Sequence, residues 1–243
     1  MEKVVAIVPA RGGSTGIPRK NTRSFLGKPL LTWTVKSAKE SKFVDRIIVS
    51  TDDEEIRRVA LANEAEVPFL RPSSLATNHS STADTVKHAV DWLKENENYS
   101  PEIVLVLEPT SPGRQPEHIS QAIELYSELE ADSIASLSVV PHHYYFGKQL
   151  NLSHDSQVTG ITGIHPKDMV HRRQDIPSSY AFNGILFSCR TEVLYKKPTS
   201  LWGDDSRGFQ VDPCYVSDLD ILDDWKPAED KLRRILLEDN TTD

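Results

Sequence analysis

Val4-Val5-Ala6-Ile7-Val8-Pro9 and Ile103-Val104-Leu105-Val106-Leu107 carry no polar side chain, and Ile47-Ile48-Val49 anchors a third run of the same kind. A strand with one face in water alternates apolar and polar residues. These runs do not alternate, so each must be covered on both faces. Amphipathic stretches lie between them. Pro29 opens a helix over residues 30–39, and Asp52-Asp53 stands at a second helix start, with Glu54 and Glu55 suited to the positive end of its dipole. Val86, Ala89, Val90 and Leu93 give helical spacing to residues 82–95, and another helix is expected over 118–129 before a strand at 133–139. Strands alternating with helices imply an α/β chain with a largely parallel sheet and helices on both faces. In such sheets ligands sit beyond the carboxyl ends of the strands, so the loops after residues 9, 51, 70 and 107 share one rim. Residues 67–70 are expected as a short edge strand.

From Pro141 to Ser179 the periodicity stops. His142-His143, Tyr144-Tyr145-Phe146, glycines and prolines fill a stretch too long for a plain connection. It reads as an inserted hairpin-like subdomain, residues 141–179, carrying a subunit interface or covering the site. Residues 1–140 and 180–243 form the core domain. Strands are expected over 181–188 and 209–212 and a closing helix over 223–237, with a frayed tail at 238–243.

With 243 residues the chain can bury one large core, and its 26% charged and 38% hydrophobic residues are ordinary for a globular protein. A net charge of −8 argues against nucleic acid or an anionic membrane as partner. Cys189 and Cys214 have no metal or redox spacing, no apolar run is long enough to span a bilayer, and Met1-Glu2-Lys3 leads directly into a strand. The expected compartment is a reducing cytoplasm.

Against that acidic background, the loop after the first strand is a local exception. Residues 10–21 hold three glycines, Ser14 and the cations Arg11, Arg19 and Lys20. Glycines let backbone N–H groups approach an anion, and the cations add charge where those groups converge, which suits a polyphosphate. The loop is neither a Walker P-loop nor a dinucleotide fingerprint, because neither glycine spacing occurs. A second candidate is Val216-Ser217-Asp218-Leu219-Asp220. On a strand, Asp218 and Asp220 would share a face, and paired carboxylates beside phosphates are usually answered by Mg²⁺. The bland reading is an acidic, solvated strand end. Arg172-Arg173-Gln174 could hold a substrate carboxylate and Asn183 could read a hydroxyl or amide, with surface ion pairs as the alternative. His142 and His143 point apart on a strand and make a poor metal pair.

Together these residues resemble the acylneuraminate cytidylyltransferase family, the CMP-sialic acid synthetases and relatives acting on similar nine-carbon keto acids. The marks are Pro9-Ala10-Arg11-Gly12-Gly13-Ser14, Gly16-Ile17-Pro18, Lys20-Asn21, Ser50-Thr51-Asp52, Arg71-Pro72, Leu75-Ala76, Pro109-Thr110-Ser111-Pro112, Arg173-Gln174, Asn183-Gly184, Asp218-Leu219-Asp220 and Ala228-Glu229. They cover nearly the whole chain. Related Kdo cytidylyltransferases usually lack the Gly-Gly-Ser and Lys-Asn elements.

The resemblance implies a three-layer, Rossmann-like nucleotidyltransferase fold with a mixed, mostly parallel sheet and an inserted dimerisation subdomain. It implies transfer of CMP from CTP to the anomeric hydroxyl of a sialic-acid-like 2-keto-3-deoxy acid sugar, with release of pyrophosphate, Mg²⁺ as cofactor and a homodimer. Carried over by position, Ala10, Arg11, Gly12, Gly13, Ser14 and Lys20 would line the triphosphate, Asn21 the ribose, and Arg71, Ser80 and Thr82 the cytosine. Asp218 and Asp220 would bind metal, and Glu108, Arg173 and Asn183 would face the sugar. Arg11, Lys20, Asp218 and Asp220 would carry the chemistry.

Three positions depart from the family. Thr15 replaces a usual lysine, Glu108 a usual glutamine, and Ala181 a common arginine. They favour an acceptor other than N-acetylneuraminate: legionaminate, pseudaminate, a Kdo-like acid or a phosphonate. Another nucleotide, or a non-catalytic nucleotide-binding protein, are the remaining alternatives.

Overall fold

The computed structural model describes residues 2–170 and 172–237. Its first half runs β1 (Val4–Pro9), β2 (Ser24–Phe25), β3 (Lys28–Pro29), α1 (Leu30–Lys39), β4 (Arg46–Ser50), α2 (Glu54–Ala62), α3 (Thr82–Glu97) and β5 (Ile103–Val106). The second runs α4 (Pro116–Leu129), β6 (Ser133–Val139), β7 (Leu150–Leu152), β8 (Val158–Gly160), β9 (Tyr180–Arg190), β10 (Ser206–Gln210) and α5 (Leu222–Leu237).

Six strands form one mixed sheet in the order β10-β6-β9-β5-β1-β4. The all-apolar β1 lies inside it, parallel to β4 through Val5–Arg46 to Pro9–Ser50 and parallel to β5 through Val4–Ile103 to Ile7–Val106. Strand β9 runs antiparallel to β5, with Val106 opposite Phe187. Alternate residues of β1 serve opposite faces. Val4, Ala6 and Val8 join one core with Leu31 and Val35 of α1, Ile56 and Ala60 of α2 and Ile119, Ala122 and Tyr126 of α4. Helix α3 packs on β1 and β4 with Val86, Ala89, Val90 and Leu93 buried, completing a three-layer α/β arrangement.

Local chemistry sets the helix starts. Asp53 caps α2 by accepting from the N–H groups of Glu55 (2.8 Å) and Ile56 (3.0 Å), and Ser81 caps α3 by accepting from Ala83 (3.1 Å). Pro116 opens α4, where Gln115 N donates to His118 Nδ1 at 3.1 Å. A smaller core gathers Ile17, Phe25, Leu30, Trp33, Leu219, Trp225, Ala228, Leu232 and Leu236. It fastens the glycine-rich loop, the start of α1, the segment before α5 and α5 itself to one another.

Three expectations are corrected. Residues 67–70 do not form a strand: pairing with β4 is a single bridge at Ile48–Glu66, and Pro68 has no N–H to extend it. The strand placed at 209–212 lies at Ser206–Gln210 instead. Residues 216–220 are irregular rather than a strand. The tail at 238–243 lies outside the described residues.

The chain divides into two units, residues 1–136 with 183–243 and residues 137–182. Within the second, β7 and β8 form a two-stranded antiparallel hairpin among 3₁₀ turns, and Val140 N donates to Ser179 O at 2.9 Å. Among the described residues, no helix is long and apolar enough to cross a membrane.

Candidate active site

The glycine-rich loop leaves β1 with Ala10 N donating to Ser50 O at 2.9 Å, which ties it to the end of β4. Gly12 N donates to Asp52 Oδ1 at 2.9 Å, and a Cβ on Gly12 would come within 2.8 Å of the Asp53 Cβ. Only glycine fits there without moving the cap of α2. Ser14 N turns back to Gly12 O at 3.0 Å. The N–H groups of Ala10, Gly12 and Ser14 are therefore engaged inside the protein, and the loop's cations are its clearest answer to an anion.

Those cations are held in different ways. Arg11 Nη1 donates to Thr77 O at 2.6 Å, and Asn21, itself buried, donates through Nδ2 to Arg11 O at 3.0 Å. Arg19, at φ 55°, pairs outward with Glu55. Lys20 turns inward: its ammonium donates to Leu219 O and lies 3.7 Å from Asp220 Oδ1. Arg11, Gly12, Lys20, Asn21 and Asp53 line a small cavity.

The segment carrying Asp218 and Asp220 is brought to the loop by packing. Leu219 is fully buried against Ile17, while Asp218 and Asp220 remain exposed on either side of it. The two carboxylates are thus presented by a buried leucine between them rather than by a β-ladder. Gly16 abuts the carbonyl of Asp220 so closely that a Cβ would overlap it. Asp224 accepts from Asp220 N and Ile221 N, each at 2.9 Å, where α5 begins.

Although the residue as a whole is open to solvent, partial desolvation of its carboxyl, with the charge of Asp220 next in weight, pushes Asp218 above its ordinary pKa. Among the described residues no cluster of three or more His, Cys, Asp or Glu is placed to hold a metal. Two carboxylates suit Mg²⁺ nonetheless, because that ion commonly takes one or two protein carboxylates and completes its shell with phosphates and water. A divalent cation would also relieve the repulsion felt by Asp218, so the donor set fits.

Glu108 follows β5 on the same rim. Burial raises its pKa, with Asp218 and Asp220 pushing the same way and Arg114 and Lys20 opposing them. Gly184, at φ +72°, faces it: a Cβ there would lie 3.0 Å from Ser111 Oγ and 4.0 Å from Glu108 Oε2. The neighbouring Asn183 accepts through Oδ1 from Ser136 Oγ (2.6 Å) and Ile185 N (3.1 Å).

Residues placed around the base fall into two groups. Arg71 is buried, donating from Nε to Ser50 Oγ at 3.1 Å and from Nη2 to Ser50 O. Burial lowers its pKa to about 10; Asp52 opposes that shift and Arg11 adds to it. Ser80 Oγ donates to Ser74 O at 3.1 Å and lies 2.8 Å from Thr77 Oγ1, so it braces the turn that receives Arg11. Thr82 is the half-buried first residue of α3. Arg173 belongs to the second unit, on an exposed 3₁₀ turn beside the Arg172–Asp175 ion pair (2.6 Å).

Sequence reasoning missed Arg114. Its side chain is fully buried and reaches Ile185 O, Thr34 Oγ1 (3.0 Å) and Glu108 O (2.8 Å). A lone arginine after Pro-Gly gives no sign of this, because two of its partners, Thr34 and Ile185, are distant in sequence and the third is a backbone carbonyl.

The family model described as cytidylyltransferase matches residues 5–200. The chain is 31% identical over 231 residues to N-acylneuraminate cytidylyltransferase A of Danio rerio, covering 95% of this chain and 51% of that protein. It is 30% identical over 227 residues to pseudaminic acid cytidylyltransferase of Campylobacter jejuni, covering 93% and 95%. The chain spans about half the length of the N-acylneuraminate cytidylyltransferases it matches. A solved structure of CMP:2-keto-3-deoxy-manno-octonic acid synthetase complexed with CTP superposes with a TM-score of 0.72, at 15% identity, over 96% of this chain and 100% of that one.

Proposed function

Because this chain belongs to the cytidylyltransferase family, we propose that it is an enzyme that transfers CMP from CTP to the anomeric hydroxyl of a sialic-acid-like 2-keto-3-deoxy acid sugar. The sugar oxygen forms a bond to the α-phosphorus while its hydroxyl proton passes to water, the bond from that phosphorus to the bridging oxygen breaks, and pyrophosphate leaves. The observation that carries this reading is the junction of Lys20 with the Leu219 carbonyl and Asp220, which sets the cationic loop against the paired aspartates.

Each residue has a role that its setting supports. Arg11 and Lys20, with the hydroxyl of Ser14, bind triphosphate oxygens and offset the charge that builds as pyrophosphate departs. Asn21 keeps the loop folded through the Arg11 carbonyl while it borders the ribose. Arg71, by holding the end of β4, supports the pocket wall for the cytosine together with Ser80 and Thr82. Asp218 and Asp220 hold Mg²⁺, which when bound supplies Lewis-acid stabilisation of the phosphates and of the attacking hydroxyl. Glu108 and Asn183 border the sugar. A reducing cytoplasm is the proposed compartment, which suits the free thiols of Cys189 and Cys214.

Glu108 favours a second acceptor reading. A carboxyl beside two aspartates is a poor neighbour for an acid unless the acceptor offers an N–H or ammonium donor there, as an amino-substituted nine-carbon acid does.

We also propose a homodimer formed through the second unit. It leaves Tyr144, Phe146, Leu150, Leu152, Val158, Ile161 and Ile164 exposed around a hairpin of two three-residue strands. A two-stranded hairpin is marginal alone, and a second copy would cover its apolar surface.

The test is pyrophosphate release across CTP, GTP, UTP and ATP with a panel of N-acetylneuraminate, legionaminate, pseudaminate, Kdo and phosphonate acceptors. CTP with Mg²⁺ and one of the nine-carbon acids should turn over. CTP binding without turnover of any acid would replace this reading with a non-catalytic nucleotide-binding role.

A further inference from the structure

Arg114 is the largest fully buried side chain and the only buried cation that touches three separate elements of the core unit among the described residues. Its guanidinium spends one nitrogen on each. Nε donates to the Ile185 carbonyl of β9, Nη1 to Thr34 Oγ1 of α1 at 3.0 Å, and Nη2 to the Glu108 carbonyl after β5 at 2.8 Å. Burying a guanidinium is costly unless its donors are matched, and here each nitrogen has an oxygen partner.

These partners lead directly to the reacting groups. Thr34 lies one turn beyond Leu31, whose N–H donates to the Asn21 carbonyl at 3.0 Å, and Asn21 in turn holds the Arg11 carbonyl. Ile185 follows Asn183 and Gly184. The residue before the arginine, Gly113, lies against the Tyr215 carbonyl, three residues ahead of Asp218, where a Cβ would overlap. Hydrogen bonds joined by the backbone of α1 between Leu31 and Thr34 thus connect the cationic loop to Arg114, and further bonds lead from there to Glu108 and the Asn183–Gly184 turn.

We propose that Arg114 is a positioning residue which sets the distance between the triphosphate-binding loop and the acceptor side of the site. It touches no reacting atom. The planar fork is what the role needs, since three oxygens in different directions cannot all be met by an ammonium at the same height. The inference rests on the transferase reading above. A misplacement of about 1 Å between the two substrates is enough to cost about 100-fold in rate.

The test compares wild type, Arg114→Lys and Arg114→Met by steady-state kinetics with the preferred acid, by CTP titration calorimetry without acid, and by amide hydrogen exchange. Thr34→Val serves as the milder variant if Arg114→Met fails to fold. The expected result is a fall of about 100-fold in kcat/KM for the acid, an unchanged dissociation constant for CTP, and faster exchange confined to residues 107–111 and 183–187. Arg114→Lys should recover folding stability but little of the rate. Equal losses in CTP binding and acid turnover, tracking thermal stability, would make Arg114 a core residue only and overturn the proposal, as would full activity in Arg114→Lys. If wild type turns over no acid, the transferase reading fails. Unchanged exchange at 107–111 and 183–187 in the variants would then separately overturn the clamp.

Discussion

The Lys20 ammonium stands 3.7 Å from the Asp220 carboxylate, with the lysine side chain 13% and the aspartate side chain 75% exposed. A half-exposed pair of this kind contributes only about 0.2–1 kcal/mol to stability. Lys20→Ala should therefore leave the fold intact. Removing a preorganised cation from developing phosphate charge costs about 10²–10³ in rate. The variant should keep its melting temperature to within a few degrees and lose about 100-fold or more in pyrophosphate release. Full turnover in Lys20→Ala would remove the loop from the chemistry.

Gly16 and Gly13 give a contrast within one loop. A Cβ at Gly16 would overlap the Asp220 carbonyl, whereas one at Gly13 meets nothing within 4 Å. Overpacking of this sort costs about 1–3 kcal/mol and is relieved here by pushing the Asp218–Asp220 segment off the loop. Gly16→Ala should lose both thermal stability and turnover. Gly13→Ala should melt with wild type, so any loss of activity there reports the approach of a ligand to the loop. Equal melting temperatures for both variants would contradict the close approach at Gly16.

Glu108 links pH to stability. Burial raises its folded pKa above the unfolded value, so ionising it works against folding. The sign follows: its contribution is most favourable at low pH and is lost as pH rises through the raised folded pKa. Asp218 behaves the same way. Glu108→Gln, which restores the family's usual residue, should melt above wild type at pH 8, and the gap should close towards pH 4. A lower melting temperature for Glu108→Gln at pH 8 would refute this. Turnover of the native acid should fall even as stability rises, a trade expected where a site tolerates strain for function.

Much of the central sheet is legible in the sequence because β1 and β5 are apolar throughout and β4 is centred on Ile47-Ile48-Val49, and continuous apolar runs bounded by turn residues have few other uses. Helices α1 and α2 announce themselves by Pro29 and Asp53 at their starts, and α3 by the spacing of Val86, Ala89, Val90 and Leu93. The aspartate pair is legible, but not the geometry that presents it. Alternation about Leu219 holds, but a buried leucine in an irregular segment enforces it, not strand pairing. The close approach at Gly16 and the role of Arg114 are not legible. Their importance comes from backbone carbonyls at Asp220, Glu108 and Ile185, and a carbonyl has no signature in a side-chain pattern.

The Asp218–Asp220 pair predicts a metal-linked thermal shift. A cation bound by the folded site alone stabilises by mass action, about 2.7 kcal/mol at a hundredfold excess over its dissociation constant. CTP with Mg²⁺ should raise the melting temperature of wild type more than CTP with a chelator does. That difference should shrink in Asp218→Asn and in Asp220→Asn. The first variant should already start higher at neutral pH, because it removes a carboxyl that burial and Asp220 hold above its ordinary range. An unchanged Mg²⁺ increment in both variants would move the metal site elsewhere.

The exposed apolar surface of the second unit predicts the assembly state. Leu152 is 73% and Phe146 59% exposed, values seldom selected for large apolar side chains that face only water in a group. If a second copy covers them, wild type should sediment as a dimer. Leu152→Asp and Phe146→Asp should each shift it to monomer at micromolar concentration without unfolding the core, because neither residue belongs to a core cluster of the first unit. A charge buried without a partner at such an interface costs several kcal/mol, far more than a rim contact supplies. Sedimentation velocity of the three proteins decides it: a monomeric wild type, or dimers that survive both aspartates, would show that this surface is not the interface.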